Sequence, residues 1–160
     1  MRIGVVSDTH DRLPNVERIV ELFRAAGVAR VVHTGDITSA RTLHVLARLG
    51  VPLAGVWGNN DVERDALEAA CAAHDFDFTQ SGREIRWAGR RILVVHDPRE
   101  LDARLAGHDL ALHGHDHARR LERRGSTLVV NPGECAGHLR GHNAVAVLDL
   151  LRLEAEILRF

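Results

Sequence analysis

The chain has no lysine, no tyrosine, one methionine and two cysteines among 160 residues. All 21 basic side chains are therefore arginine, and they are balanced to a formal net charge of -1. That balance leaves no broad basic face and excludes sequence-independent binding of duplex nucleic acid as an expected activity. Cys71 and Cys135 stand alone without a Cys-x-x-Cys pattern, so neither a disulfide framework nor a thiolate zinc site is expected. Cys71, among the alanines of LEAACAAH, reads as a small core residue. No apolar run approaches the ~20 residues of a membrane span. The opening MRIGVVSD enters a strand with no charged-then-apolar leader, and the expectation is a soluble cytoplasmic protein. At this length residues 1–160 are read as one domain with a sizeable core.

What is present is a repeated pattern. RIGVVSD, VARVVHTGD and VPLAGVWGNND are short apolar runs that each end in a loop rich in glycine, aspartate or asparagine. Helical periodicity follows each one. Val16, Ile19, Val20 and Phe23 keep i, i+3, i+4, i+7 spacing, with Pro14 at the start and Gly27 at the end. Leu43, Leu46 and Leu49 form a second stripe closed by Gly50, and Leu67, Ala70 and Cys71 a third within VERDALEAACAAH. Apolar runs alternating with helices predict parallel β-α-β units whose strands are covered on both faces. The second half predicts a hairpin turning at Ala88-Gly89 and a short helix over DPRELDARLAG. A strand LALHGHDH, a second hairpin through Gly125 and closing strands in NAVAVLDLLRLEAEIL follow. The expected architecture is α/β, with two packed β-sheets forming a sandwich flanked by helices.

Ligands in such folds gather beyond the carboxyl ends of strands, and the polar residues of this chain collect there. Asp8 and His10 lie in SDTHD, Asp36 in TGDI, Asn59 in GNND, His96 in VVHD, and His115 and His117 in GHDH. Each fragment alone is ordinary loop or capping chemistry. Together they offer two aspartates, an asparagine and four imidazoles, a donor set suited to manganese, iron or zinc rather than calcium or magnesium. Seven donors exceed one ion and fit two, provided a carboxylate is shared. Two metals ~3.5–4 Å apart can hold a hydroxide and clamp a phosphoryl group.

The ordered series VVSDTHD, HTGD, GNND, VVHD, GHDH, NPGE and Arg140-Gly141 resembles the calcineurin-like metallophosphoesterase superfamily. Within it the chain is most similar to the small prokaryotic phosphodiesterases of the YfcE type, related in fold to the retromer subunit Vps29. The resemblance implies a β-sandwich with helices on both faces and a dinuclear metal site at the carboxyl ends of the strands. It implies one metal held by Asp8, His10, Asp36 and His117, and another by Asp36, Asn59, His96 and His115. Asp36, Asn59 and His96 carry the catalytic assignment as well. The implied activity is a metal-dependent phosphodiesterase in which a metal-bridging hydroxide attacks phosphorus. Manganese is the first choice of ion, with iron, zinc or nickel as the other candidates. The implied substrate is a small phosphoester, nucleotide-derived compounds included, and relatives of this kind often form homo-oligomers.

One position departs from the superfamily. A histidine commonly follows the asparagine ligand and helps protonate the leaving group, whereas this chain has Asn60, whose amide does not transfer protons near neutral pH. Diesters with good leaving groups should therefore be preferred over unactivated monoesters. Asp61 reads as the cap of the helix beginning VERDAL, with orientation of Asn60 or a water as its other reading. Asp116 should point away from the metals. His113 reads as a strand-end residue and His33 as a packed strand histidine, while His44, His74, His108, His138 and His142 read as surface or loop residues. Arg140, Glu134 and Asn131 either reach substrate or serve the turn around NPG. The cluster Arg119, Arg120, Arg123 and Arg124 reads as a solvated hairpin face. Two other function classes compete: a non-catalytic scaffold of the Vps29 kind and a nuclease. The complete donor set argues against the first, and the slight negative charge without an added domain argues against the second.

Overall fold

The computed structural model describes residues 1–160. Its first half is a β-α-β series: β1 (Arg2–Val6), α1 (Leu13–Ala26), β2 (Arg30–His33), α2 (Ala40–Leu46), β3 (Leu53–Val56), α3 (Arg64–His74) and β4 (Asp77–Thr79). Then come β5 (Arg83–Trp87), β6 (Arg90–Val94), β7 (Leu110–Leu112), β8 (Arg120–Arg124), β9 (Thr127–Asn131), β10 (Ala144–Asp149) and β11 (Glu154–Arg159). One sheet has the order β11-β10-β1-β2-β3-β4 and the other β5-β6-β7-β9-β8. In the first, β1 to β4 run parallel and β10 and β11 add antiparallel strands. In the second, β6, β7 and β9 are parallel.

Alternation along the buried strands divides the core. Ile3, Val5, Val32 and Val56 face between the sheets and meet Ile92, Val94, Leu110, Leu112 and Val130. Val6, Val31, Leu53, Val145 and Val147 instead meet the apolar stripe of α1, namely Val16, Ile19, Val20 and Phe23. Leu43 of α2 and Leu67, Ala70 and Cys71 of α3 pack with Ile37 and Trp57. Fully burying one such aliphatic or aromatic side chain is worth ~1.5–3 kcal/mol, so these faces fix which way every strand presents its loop. Both hairpins turn where expected, with left-handed backbone at Ala88 (φ 49°), Gly89 (φ 76°) and Gly125 (φ 60°).

Three expectations are corrected. The helices do not cover both faces of the sandwich: α1, α2 and α3 all lie on the first sheet. The second sheet's outer residues, Leu93, Ala111 and Val129, are covered by Leu101 and Leu105. These two belong to the predicted DPRELDARLAG helix, which is only a 3-10 turn at Pro98–Glu100. Proline at its start permits that turn, but the following residues form isolated turns (Arg104 N–H to Leu101 C=O, 2.9 Å) rather than a continuing helix. Finally, α3 begins at Arg64 after Glu63, two residues later than the VERDAL reading, and has no side-chain cap. Of the arginine cluster, Arg120 and Arg124 pair with Asp116, Glu122 and Asp102 and Arg123 is exposed, whereas Arg119 packs against Gly133 with its Nη1 buried and unpartnered.

Candidate metal centre

Five loops meet at one end of the sandwich. Asp8 and His10 follow β1, Asp36 follows β2 and Asn59 follows β3, while His96 follows β6 and His115 and His117 follow β7. β1, β2 and β3 are parallel neighbours, as are β6 and β7, so their carboxyl ends open on the same side of each sheet. The loops are not extended. Asp8 (φ 51°), His10 (φ 42°), Asp36 (φ 59°), His115 (φ 72°) and His117 (φ 55°) all take left-handed backbone. For residues with a Cβ that conformation costs ~1–2 kcal/mol each, and it persists where surrounding contacts enforce it. Here the Asp8 N–H donates to Gly35 C=O (3.0 Å) and the His10 N–H to Asp36 C=O (3.1 Å), tying the first loop to the second. Convergence of Asp8 and His10 thus comes from a turn rather than from extended backbone.

All seven sequence-selected side chains lie around this junction, in two overlapping groups. In the first, His117 Nε2 stands 3.6 Å from Asp8 Oδ1 and His10 Nε2 stands 3.5 Å from Asp36 Oδ2. In the second, Asn59 Oδ1 lies 3.0 Å from both His96 Nε2 and His115 Nδ1, and His96 Nε2 is 3.5 Å from Asp36 Oδ1. The two oxygens of Asp36 therefore face one group each. Glycines let these chains approach: a Cβ on Gly114 would overlap Ser7 Oγ and stand 2.7 Å from Asp8 Oδ2, and one on Gly58 would overlap Asp36.

The surrounding residues hold these groups in place. Asp61, read from sequence as a helix cap or an orienter of Asn60, is instead 2% exposed beneath the Asp36 loop. Its carboxylate accepts from the N–H groups of Asp36 (3.0 Å), Ile37 (2.7 Å), Thr38 (2.7 Å) and Gly58 (2.7 Å). Asn60 clamps the Asp36 carboxylate, donating from its backbone N–H (2.9 Å) and from Nδ2 (2.7 Å). His96 Nδ1–H donates to Thr34 C=O (2.8 Å), which leaves Nε2 with its lone pair toward Asp36. Buried Glu134 accepts from the N–H groups of His138 (3.1 Å) and Leu139 (2.7 Å) and stands 3.4 Å from His117 Nδ1. It serves this loop, and Asn131 likewise bonds Gly133 N–H (2.9 Å) and Asp116 (2.6 Å). Asp116 spends its carboxylate on Asn131, the Ala118 N–H and Arg120.

His33 is a packed histidine, accepting from Gly35 N–H at Nδ1 (3.1 Å) and meeting Thr9 Oγ1 at Nε2 (3.2 Å). His113 is fully buried at the strand end. His138, on an exposed loop, nonetheless stacks on the His117 ring at 5.4 Å and meets His10 edge-on at 5.3 Å. No motif spacing marks that contact. His44 and His74 bond each other at 2.8 Å on the outer helices, and His108 pairs with Glu84. Cys71 and Cys135 are free and buried, and burial pushes the Cys71 thiol up to about 12.

The electrostatics suit a cation. Burial pushes the Asp8 carboxyl up to about 7, against the lowering effect of the Ser7 hydroxyl, and it lowers the His10 imidazole. Asp8 Oδ1 and His10 Nε2 are buried without a hydrogen-bond partner. Orphaned buried polar atoms are costly, and these two point into a gap shared with His117. Oxygen and imidazole donors converging there fit divalent cations.

Such loops, buttresses and paired donor groups form a candidate centre for divalent cations. Residues 1–152 match the calcineurin-like phosphoesterase superfamily domain, and the chain belongs to that superfamily. It is 31% identical over 159 residues to phosphodiesterase MJ0936 of Methanocaldococcus jannaschii, covering 96% of each chain. It is 28% identical over 150 residues to phosphodiesterase YfcE of Escherichia coli K12, covering 83% of this chain and 78% of that one. A solved archaeal phosphodiesterase superposes with a TM-score of 0.90 at 29% identity over all of both chains. Vps29 of Entamoeba histolytica shares the fold at a TM-score of 0.70 and 17% identity, covering 100% and 99% of the two chains.

Proposed function

We propose that the chain is a metal-dependent phosphodiesterase, built as one domain over residues 1–160, with two cation positions that share Asp36. Asp8, His10, Asp36 and His117 would hold one cation; Asp36, Asn59, His96 and His115 would hold the other. The observation that carries this reading is the placement of the Asp36 oxygens, each 3.5 Å from an imidazole nitrogen of a different group. When bound, a pair of divalent cations supplies Lewis acidity and activated water for attack at phosphorus. The protein's part is positional. Asn60 and Asp61 fix the shared carboxylate and its loop, while Thr34 and Glu134 orient His96 and His117. Asn60 offers amide hydrogens only, so departure of the alcohol depends on its own stability, which favours diesters with good leaving groups. The phosphodiesterase names of the relatives support this substrate class.

The mixed carboxylate, amide and imidazole donors make manganese the first choice, ahead of iron, zinc or nickel. The substrate is a small phosphoester, nucleotide-derived diesters included, and the cytoplasm and a homo-oligomer complete the reading. A scaffold needs none of these donors, and a buried carboxylate such as Asp8 would only cost it stability. The test is metal content together with hydrolysis of bis(p-nitrophenyl) phosphate in Mn²⁺. The expected result is a bound pair of ions, turnover, and loss of both in Asp36→Ala. Metal-loaded protein inert on every phosphoester, or normal turnover and stoichiometry in Asp36→Ala, overturns the assignment.

A further inference from the structure

A cleft of about 410 Å³ opens beside Asn59, His96 and His115 and extends to Ser81, Arg99 and Glu100. It adjoins the second cation position, so an ester arm of a substrate centred on the cations would enter it. Three features define what that arm can be. First, the lining offers unused hydrogen-bonding groups of both kinds. Glu100 accepts from Ser81 Oγ at Oε1 (2.5 Å), leaving Oε2 free. Arg99 uses Nε and Nη2 on Asp97, leaving Nη1, and Asn59 uses only Oδ1, leaving Nδ2. Second, no indole or phenyl face is available. Trp57, at the cleft wall, is 6% exposed, with Phe78 stacked on it at 4.7 Å and the Arg64 guanidinium over it at 4.5 Å. Third, beyond the cation positions the wall carries one guanidinium, Arg99, beside the carboxylates of Asp97 and Glu100, and so lacks the cluster of basic side chains that would hold a second phosphate.

We infer, on the phosphodiesterase reading, that the cleft binds a hydroxyl-bearing ester arm: a polyol such as glycerol, or a ribose diol, rather than an aryl, acyl or second phosphoryl group. A carboxylate acceptor beside amide and guanidinium donors matches the hydrogen-bonding pattern of neighbouring hydroxyls. The one partly exposed ring there, His115, is held edge-on to His96 and bonded to Asn59 Oδ1 (3.0 Å).

The test holds the leaving group constant. Glyceryl, propyl and uridine 5′-(p-nitrophenyl) phosphodiesters release the same p-nitrophenol from the manganese-loaded protein. The glyceryl ester should exceed the propyl ester ~10-fold in kcat/KM, mostly through KM, the equivalent of about one hydrogen bond to a charged group. Glu100→Gln should erase most of that ratio. Calorimetry should show glycerol 3-phosphate binding more tightly than propyl phosphate, with the difference lost in the same variant. The uridine ester separates the two diol sources: it matches the glyceryl ester if ribose is accepted and falls to the propyl value if glycerol alone is. Equal rates and equal binding for glyceryl and propyl compounds, or a preference that survives Glu100→Gln, overturn this inference while leaving the phosphodiesterase reading intact. No turnover of any of the three, with metal bound, overturns both.

Discussion

The residue that departs furthest from its sequence reading is Asp61. Its place in GNND suggests a helix cap, yet one carboxylate gathers four backbone N–H groups from loops after β2 and β3. Asparagine keeps the shape but turns an amide toward those donors. Asp61→Asn should therefore cost on the order of 3 kcal/mol and lower metal uptake, read by urea unfolding and metal analysis. Asp61→Asn with unchanged stability and stoichiometry would show the contacts to be dispensable. His33 makes a second prediction. Burial lowers its pKa from 6.5 to about 3, so the unfolded chain takes up a proton between those values and the folded one does not. Above pH 6.5 the two states bind equally; as pH falls from there toward 3, stability is lost. The difference in unfolding free energy between wild type and His33→Asn should shrink over that window, and a pH-independent difference would contradict the assignment.

At the level of elements, much of the architecture is written in apolar periodicity. The stripes of α1 and α3, the three early strands and both hairpins follow from side-chain spacing and glycine placement, and the ligand-type residues stand where those strands end. The loops themselves are not legible that way. Left-handed backbone at Asp8, His10, Asp36, His115 and His117 arises from contacts between loops distant in sequence, and local spacing carries no trace of it. The same holds for Glu134, 17 positions from His117, and for the short turn that replaces the predicted helix after Asp97. Gly114 is the element-scale test. A methyl there would drive into Ser7 and Asp8, so Gly114→Ala should fold with near-normal far-ultraviolet dichroism but lose at least one bound ion. Retention of full stoichiometry would mean that the β7 loop shifts freely.

At the scale of the whole molecule, the candidate donors come from both sheets: Asp8, His10, Asp36 and Asn59 from one, His96, His115 and His117 from the other. Bound cations would fasten the two sheets together at that end. Added Mn²⁺ should therefore raise Tm in a concentration-dependent way, by the equivalent of ~2.7 kcal/mol at 100 times Kd, and a chelator should reverse it. Asp36→Ala should show neither effect; a Tm insensitive to Mn²⁺ in the wild type would contradict the linkage. The covered indole of Trp57 has a practical consequence of its own. With no tyrosine in the chain, ultraviolet emission arises almost wholly from Trp57 and Trp87, and Trp57 is joined through Gly58 to Asn59. A Trp87→Phe protein thus carries a single native fluorophore two residues from the centre, and quenching by paramagnetic Mn²⁺ would report occupancy in real time without any added dye.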